Sequence, residues 1–144
     1  LPDLKENECL PQVSPDLQGI FGWWADLKPD AAGASITTFQ PAPDAFVVEF
    51  NDVPAAKSTL PDYRVSFQVV LYADGAVQLN YLNTPPLTGI SLGRAWPLAT
   101  AGVQARGGRF MNQIGCIAGG ETTQMVGALP GPHQSIRILP GELY

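Results

Sequence analysis

Charge is what this chain most lacks. Only 15% of its residues are Asp, Glu, Lys or Arg, against roughly 25% in ordinary soluble domains. Lys5, Lys28 and Lys57 are its whole supply of lysine, and Arg64, Arg94, Arg106, Arg109 and Arg137 are scattered. With a net charge of −5 and no basic cluster, the chain has nothing to neutralise a run of phosphates. Nucleic acid is therefore not an expected partner. Histidine is almost missing: His133 stands alone between Pro132 and Gln134. No serine sits in a strand–turn–helix elbow, so a Ser-His-Asp site has no frame. One histidine and two cysteines that fit a disulfide also cannot supply the three or four ligands of zinc. No apolar run approaches the ~20 residues of a membrane helix, so no transmembrane segment is expected. No signal peptide is present, as would also hold for a mature secreted chain. Helical periodicity over ten residues is absent too.

What the chain has is turn residues and short alternating runs. Fifteen glycines and 14 prolines punctuate 144 residues, a length that supports one domain with a real core. In Val65-Ser66-Phe67-Gln68-Val69-Val70-Leu71 apolar and mostly polar residues alternate, and Ala76-Val77-Gln78-Leu79-Asn80-Tyr81 repeats the pattern. Period 2 marks a strand with one face in a core. Asp74-Gly75 between them turns the chain, and loop length decides the pairing. A two-residue loop would set Leu71 against Gln78 and mix both faces. A three-residue loop, Ala73-Asp74-Gly75 with Gly75 left-handed, sets Leu71 against Val77, Val69 against Leu79 and Phe67 against Tyr81. Only the second gives one wholly apolar face, so it is the predicted register.

Other strand candidates are Gly19 to Ala25, Ala34 to Gln40, Ala45 to Phe50, Gly89 to Leu92, Thr100 to Gln104, Gln113 to Ile117 and Ser135 to Leu139. Residues 26–33 and 54–62 read as loops, and Pro41 to Asp44, Arg106 to Arg109 and Gly119-Gly120 as turns. Eight or more short strands with no βα alternation predict an all-β fold, a two-sheet antiparallel β-sandwich of jelly-roll type. Residues 1–18, with Pro2, Pro11 and Pro15, read as an extended N-terminal arm, and 19–144 as the sandwich. The arm's leucines suit a segment lying along an edge of its own sheet or on a second copy. The expected central core is Phe46, Val48, Phe50, Val65, Phe67, Val69, Leu71, Val77, Leu79 and Tyr81.

Cys9 and Cys116, far apart and without a CxxC, fit one long-range disulfide in an oxidising compartment. The other reading is two buried thiols in a cytosolic protein. Glycoside hydrolysis needs two acids facing one cleft. Glu49 is the only acid well inside a strand, on the side away from Phe46, Val48 and Phe50. Asp26, Asp30, Asp44, Asp52, Asp62 and Asp74 lie in turns or loops, where aspartate bonds its own backbone. No catalytic residues and no cofactor are expected. Asp26 and Asp30 flank one loop and are the weak candidates for calcium. Trp23 and Trp24 are adjacent, so on a strand they face opposite sides. Trp24 and the loop residue Trp96 are the candidate binding surface, for a sugar ring or a protein neighbour.

Phe21-Gly22-Trp23-Trp24-Ala25-Asp26-Leu27 resembles the F-W-x-D-L opening of nidogen-like (NIDO) extracellular domains. Phe46-Val47-Val48-Glu49-Phe50-Asn51-Asp52-Val53, followed by residues 65–75, resembles the core pattern of those domains and of GEVED-type modules of secreted bacterial proteins. Ala101-Gly102-Val103-Gln104-Ala105 is similar to a strand that often follows. The resemblance covers about residues 19–105, with Phe50 where relatives tend to carry tryptophan. It implies a secreted or cell-surface β-sandwich with no catalytic residues to carry over. The expected function is adhesion or protein–protein assembly, in its sharper form a subunit of an extracellular filament. The alternative is a carbohydrate-binding module using exposed tryptophans.

Overall fold

The computed structural model describes residues 7–12, 17–56, 63–85, 98–118 and 124–143. The candidate strand Gly89 to Leu92, Trp96, Gly119-Gly120 and most of the 54–62 loop lie outside them. The chain is all-β, with nine strands in two antiparallel sheets and no α-helix among the described residues, consistent with the expected β-sandwich. Its contacts divide it into two compact units, one around each sheet.

The five-stranded sheet has the order β2-β3-β4-β5-β9. These strands are Ser35–Ala42, Ala45–Pro54, Arg64–Tyr72, Val77–Asn83 and Gln134–Ile138. The β4–β5 hairpin has the predicted register: Leu71 pairs with Val77, Val69 with Leu79 and Phe67 with Tyr81. Gly75 has φ +87, its N–H donates to Tyr72 O at 2.9 Å, and Tyr72 N–H closes the loop on Ala76 O at 3.0 Å. Asp74 Oδ1 accepts from Ala76 N–H at 2.9 Å, the local bond that makes aspartate a turn residue.

The apolar face of this sheet is buried unevenly. Val65, Phe67, Val69, Val77, Leu79, Tyr81 and Ile138 are buried, and the Phe67 ring stacks on Phe50 with centroids 4.4 Å apart. Burial pushes the Tyr81 phenol up from its ordinary value, so it stays neutral. Across β3 and β2 the burial falls away. Val48, Phe50 and Leu71 are half-buried, and Phe46 and Ile36 are 43% and 45% exposed. Phe46 is thus not a core residue as alternation predicts; the pattern assigns a face correctly but not how far that face is covered. Behind it, Ala45, Val47 and Val70 form a small second core with Tyr72 and Ala42.

Between Phe50 and Val53 the β3–β4 register shifts. Asp52 there takes φ +51, and its N–H donates to Ser66 Oγ at 2.9 Å. Arg64 Nη1 donates to Asp52 O at 2.8 Å and to its carboxylate at 2.7 Å. A strained non-glycine position is thereby held by one charged partner.

The four-stranded sheet has the order β1-β6-β7-β8, with strands Gly19–Trp24, Ala99–Gln104, Met111–Ala118 and Gln124–Gly127. Strand β8 was not expected: four residues ending in a glycine carry too little alternation. Cys9 and Cys116 are bridged. Residues 7–12 lie over the two middle strands of their own sheet, not along an edge. Cys116 and Thr100 are directly paired, so both point to the side the arm occupies. Thr100 Oγ1 donates to Glu8 O at 2.8 Å, and Asn7 Nδ2 donates to Thr100 Oγ1 at 3.0 Å. Gln113 Oε1 accepts from Leu10 N–H at 2.6 Å, and Gln104 Oε1 from Gln12 N–H at 2.7 Å. Gln104 Nε2 returns bonds of 3.0 Å to Gln12 O and Leu17 O. Side-chain amides thus satisfy a backbone that has no ladder of its own. Thr100, Gln104 and Asn7 are buried for this reason.

Three outcomes test this fold. Phe67→Ala should lower unfolding free energy by about 3–5 kcal/mol in chemical denaturation, while Phe46→Ala costs under about 1 kcal/mol. Gly115→Ala should unfold the β7–β8 pair, because the new Cβ would stand 2.3 Å from Ala128 C and O; a fall in melting temperature reads it out. Removing the bridge with Cys9→Ala/Cys116→Ala closes off a cross-link over 107 residues and should cost on the order of 4–5 kcal/mol in the chain-entropy account. Native mass spectrometry should find no alkylatable thiol before reduction.

Candidate binding face and edge

The tryptophans named from the sequence do not form an open platform among the described residues. Trp23 is buried at 3% exposure. Trp24 is half-buried, with its ring stacked on Phe21 at 5.0 Å. Trp96 lies outside the described residues. Asp26 is half-buried and Asp30 exposed, and no group of three His, Cys, Asp or Glu side chains that could hold a metal occurs among the described residues. His133 is exposed in the turn before β9 at φ +60.

A different set of residues comes together on the five-stranded sheet. Because directly paired residues share a face, the registers line up one lateral row: Thr37 opposite Glu49, Glu49 opposite Gln68, Gln68 opposite Asn80 and Asn80 opposite Ser135. Each of the five strands contributes one polar residue. Gln68 Nε2 donates to Glu49 Oε2 at 2.7 Å, Asn80 Nδ2 to Gln68 Oε1 at 3.4 Å and Ser135 Oγ to Asn80 Oδ1 at 2.7 Å. Gln78 Nε2 braces the same end, 2.8 Å from Asn80 Oδ1 and 3.1 Å from Ser135 Oγ. The row is half-buried at its centre and exposed at Thr37 and Ser135. Two residues further along β2, on the same side, Phe39 is 43% exposed and pairs with Val47. At the opposite corner the Arg137 guanidinium covers the Tyr72 ring, 4.5 Å from its centroid, and stands 3.8 Å from the Asp74 carboxylate.

Chemically the row is a strip of hydroxyl and carboxamide groups with a single carboxylate. Its one carboxylate, Glu49, accepts from the Gln68 amide. The row can exchange hydrogen bonds with a polar ligand without moving protons. Sequence reasoning put Glu49 on this face but passed over Gln68 and Asn80, although the hairpin register already set them side by side. Thr37 and Ser135 needed the places of β2 and β9 in the sheet, which alternation does not specify.

The second feature is the margin of this sheet. β2 is its terminal strand, and residues 36–41 (Ile36, Thr37, Thr38, Phe39, Gln40 and Pro41) are all exposed. None is charged. Ile36 and Thr38 stand on the apolar side, opposite Phe50 and Val48, where they continue the uncovered strip that ends at Phe46. Edge strands usually carry lysine or an inward charge against stray pairing; here Pro41 and a register shift after Phe39 guard only the far end.

No protein-family model, no curated protein and no solved structure matches this chain.

Proposed function

We propose that the chain is a non-catalytic module of adhesion or protein–protein assembly, acting outside the cell or at its surface and, in the sharper form, as a subunit of an extracellular filament. The observation that carries this reading is the β2 margin: an eight-residue terminal strand with six successive exposed, uncharged residues beside an apolar strip that burial does not reach. Such an edge is a template for an added strand. Main-chain bonds would supply affinity, and Ile36, Phe46 and Phe50 the side-chain specificity. The Cys9–Cys116 bridge supports an oxidising compartment. No described helix is long and apolar enough to cross a membrane. The resemblance of residues 19–105 to nidogen-like and GEVED-type domains points the same way.

Light scattering and negative-stain microscopy test it directly. The unaltered chain should associate as its concentration rises. Ile36→Lys with Thr38→Lys should return it to a monomer, with the circular dichroism spectrum and melting temperature kept. A chain that stays strictly monomeric at high concentration removes the filament form of the reading.

A further inference from the structure

We propose that the row Thr37–Glu49–Gln68–Asn80–Ser135 is a binding site for a neutral saccharide chain lying across the strands. This goes beyond the assembly reading and uses the opposite face of the sheet.

Four observations lead to it. Composition of the row comes first. Hydroxyl-rich ligands need partners that both donate and accept, and carboxamides and hydroxyls do both. Among the described residues, Gln68 and Asn80 each use one amide N–H within the row, leaving the second to offer. Glu49 gives one carboxylate oxygen to Gln68 and presents the other as a strong acceptor.

Pre-organisation is the second. Free glutamine and asparagine side chains lose rotamer entropy when a ligand fixes them. Here bonds of 2.7, 2.7 and 3.4 Å between neighbouring strands have already fixed them, with Gln78 as a brace at 2.8 Å. Binding then costs less ordering.

Charge is the third. The only charged member of the row is Glu49, and Arg137, two residues along β9 from Ser135, is engaged over Tyr72 and towards Asp74. Phosphorylated, sulfated and uronic-acid ligands would meet a negative centre without a compensating cation. A neutral ligand would not.

Spacing is the fourth. Neighbouring strands lie about 4.8 Å apart, so the row offers one hydrogen-bonding group per ~4.8 Å over roughly 19 Å. That interval is close to one pyranose unit of an extended polysaccharide. Phe39, exposed beside Thr37 on the same side, supplies the apolar surface on which the C–H face of a sugar ring packs.

The test is affinity electrophoresis of the whole chain through gels holding xylan, galactomannan, mixed-linkage β-glucan or glycol chitin, with heparin as the anionic control. At least one neutral polysaccharide should retard the protein, and heparin should not. Gln68→Ala with Asn80→Ala should weaken that retardation about tenfold or more, the size expected for two lost hydrogen bonds. The same variant should keep its melting temperature and the self-association of the parent. Phe39→Ala, a surface change, gives a second reading if the double variant is unstable, and should also weaken retention. Ile36→Lys with Thr38→Lys should abolish assembly yet leave retention intact, so the two readings fail separately. Absence of retardation by every neutral polysaccharide overturns the proposal. So does retention unaffected by either face variant, stronger binding to heparin, or retention lost only in Trp24→Ala.

Discussion

One residue in the left-handed region sets the character of both faces of the larger sheet. Gly75 at φ +87 makes the β4–β5 loop three residues long and so fixes which side chains stand together. A slip of one position would carry Leu79 and Tyr81 to the side now held by Gln68 while Val69 and Phe67 stayed, mixing polar and apolar groups on both faces. The β3–β4 and β5–β9 pairs then extend the same assignment outwards. The apolar rows of Val, Leu and Phe and the polar row from Thr37 to Ser135 are two consequences of one register. Glu49 reaches Gln68, and Phe50 stacks on Phe67, through the β3–β4 register, while the β4–β5 register sets Asn80 beside Gln68 and Tyr81 beside Phe67.

The smaller sheet solves a different problem. A proline-rich segment with few backbone partners of its own must be held somewhere, and burying its peptide groups unpaired would be costly. Thr100, Gln104 and Gln113 supply the missing partners from side chains, and the covalent bridge at Cys9 fixes where they meet. Glycine completes the fit. A Cβ on Gly102 would stand 2.5 Å from Asn112 O and 3.2 Å from a Leu10 methyl, so a larger residue would force β6 from β7 and press on the arm.

Much of this was legible from residues alone, and what was not has physical reasons. The hairpin register and the all-β class follow from alternation and turn chemistry, which are local. The cysteine pair follows from there being only two. Phe46 was misjudged because alternation reports direction and says nothing of the extent of cover. An arm lying along an edge or on a second copy is what its leucines suggest, whereas its place over β6 and β7 depends on Thr100, Gln104 and Gln113, polar residues whose burial no local pattern announces. β8 was invisible for want of length. Of the candidate face, Gln68 and Asn80 follow from the same hairpin register that predicts the core, on its other side, and Glu49 from the alternation of β3. Thr37 and Ser135 depend on strand order, a long-range property. The tryptophans drew attention through size, yet Trp23 is inside and Trp24 is occupied with Phe21.

The bridge between Cys9 and Cys116 also has a mechanical meaning. A pull between the segment before Cys9 and the segment after Cys116 does not travel along the intervening chain. It passes through one covalent link into β7, an interior strand of its sheet. The stretch between the two cysteines, 107 positions apart in sequence, includes the hairpin, the polar row from Thr37 to Asn80 and the open margin of β2, and forms a closed loop that tension cannot draw out. Of the described strands, β8 and β9 lie wholly beyond Cys116 and remain in the line of force. Under load, then, β9 with Ser135 would peel first, and the rest of the binding face would keep its shape.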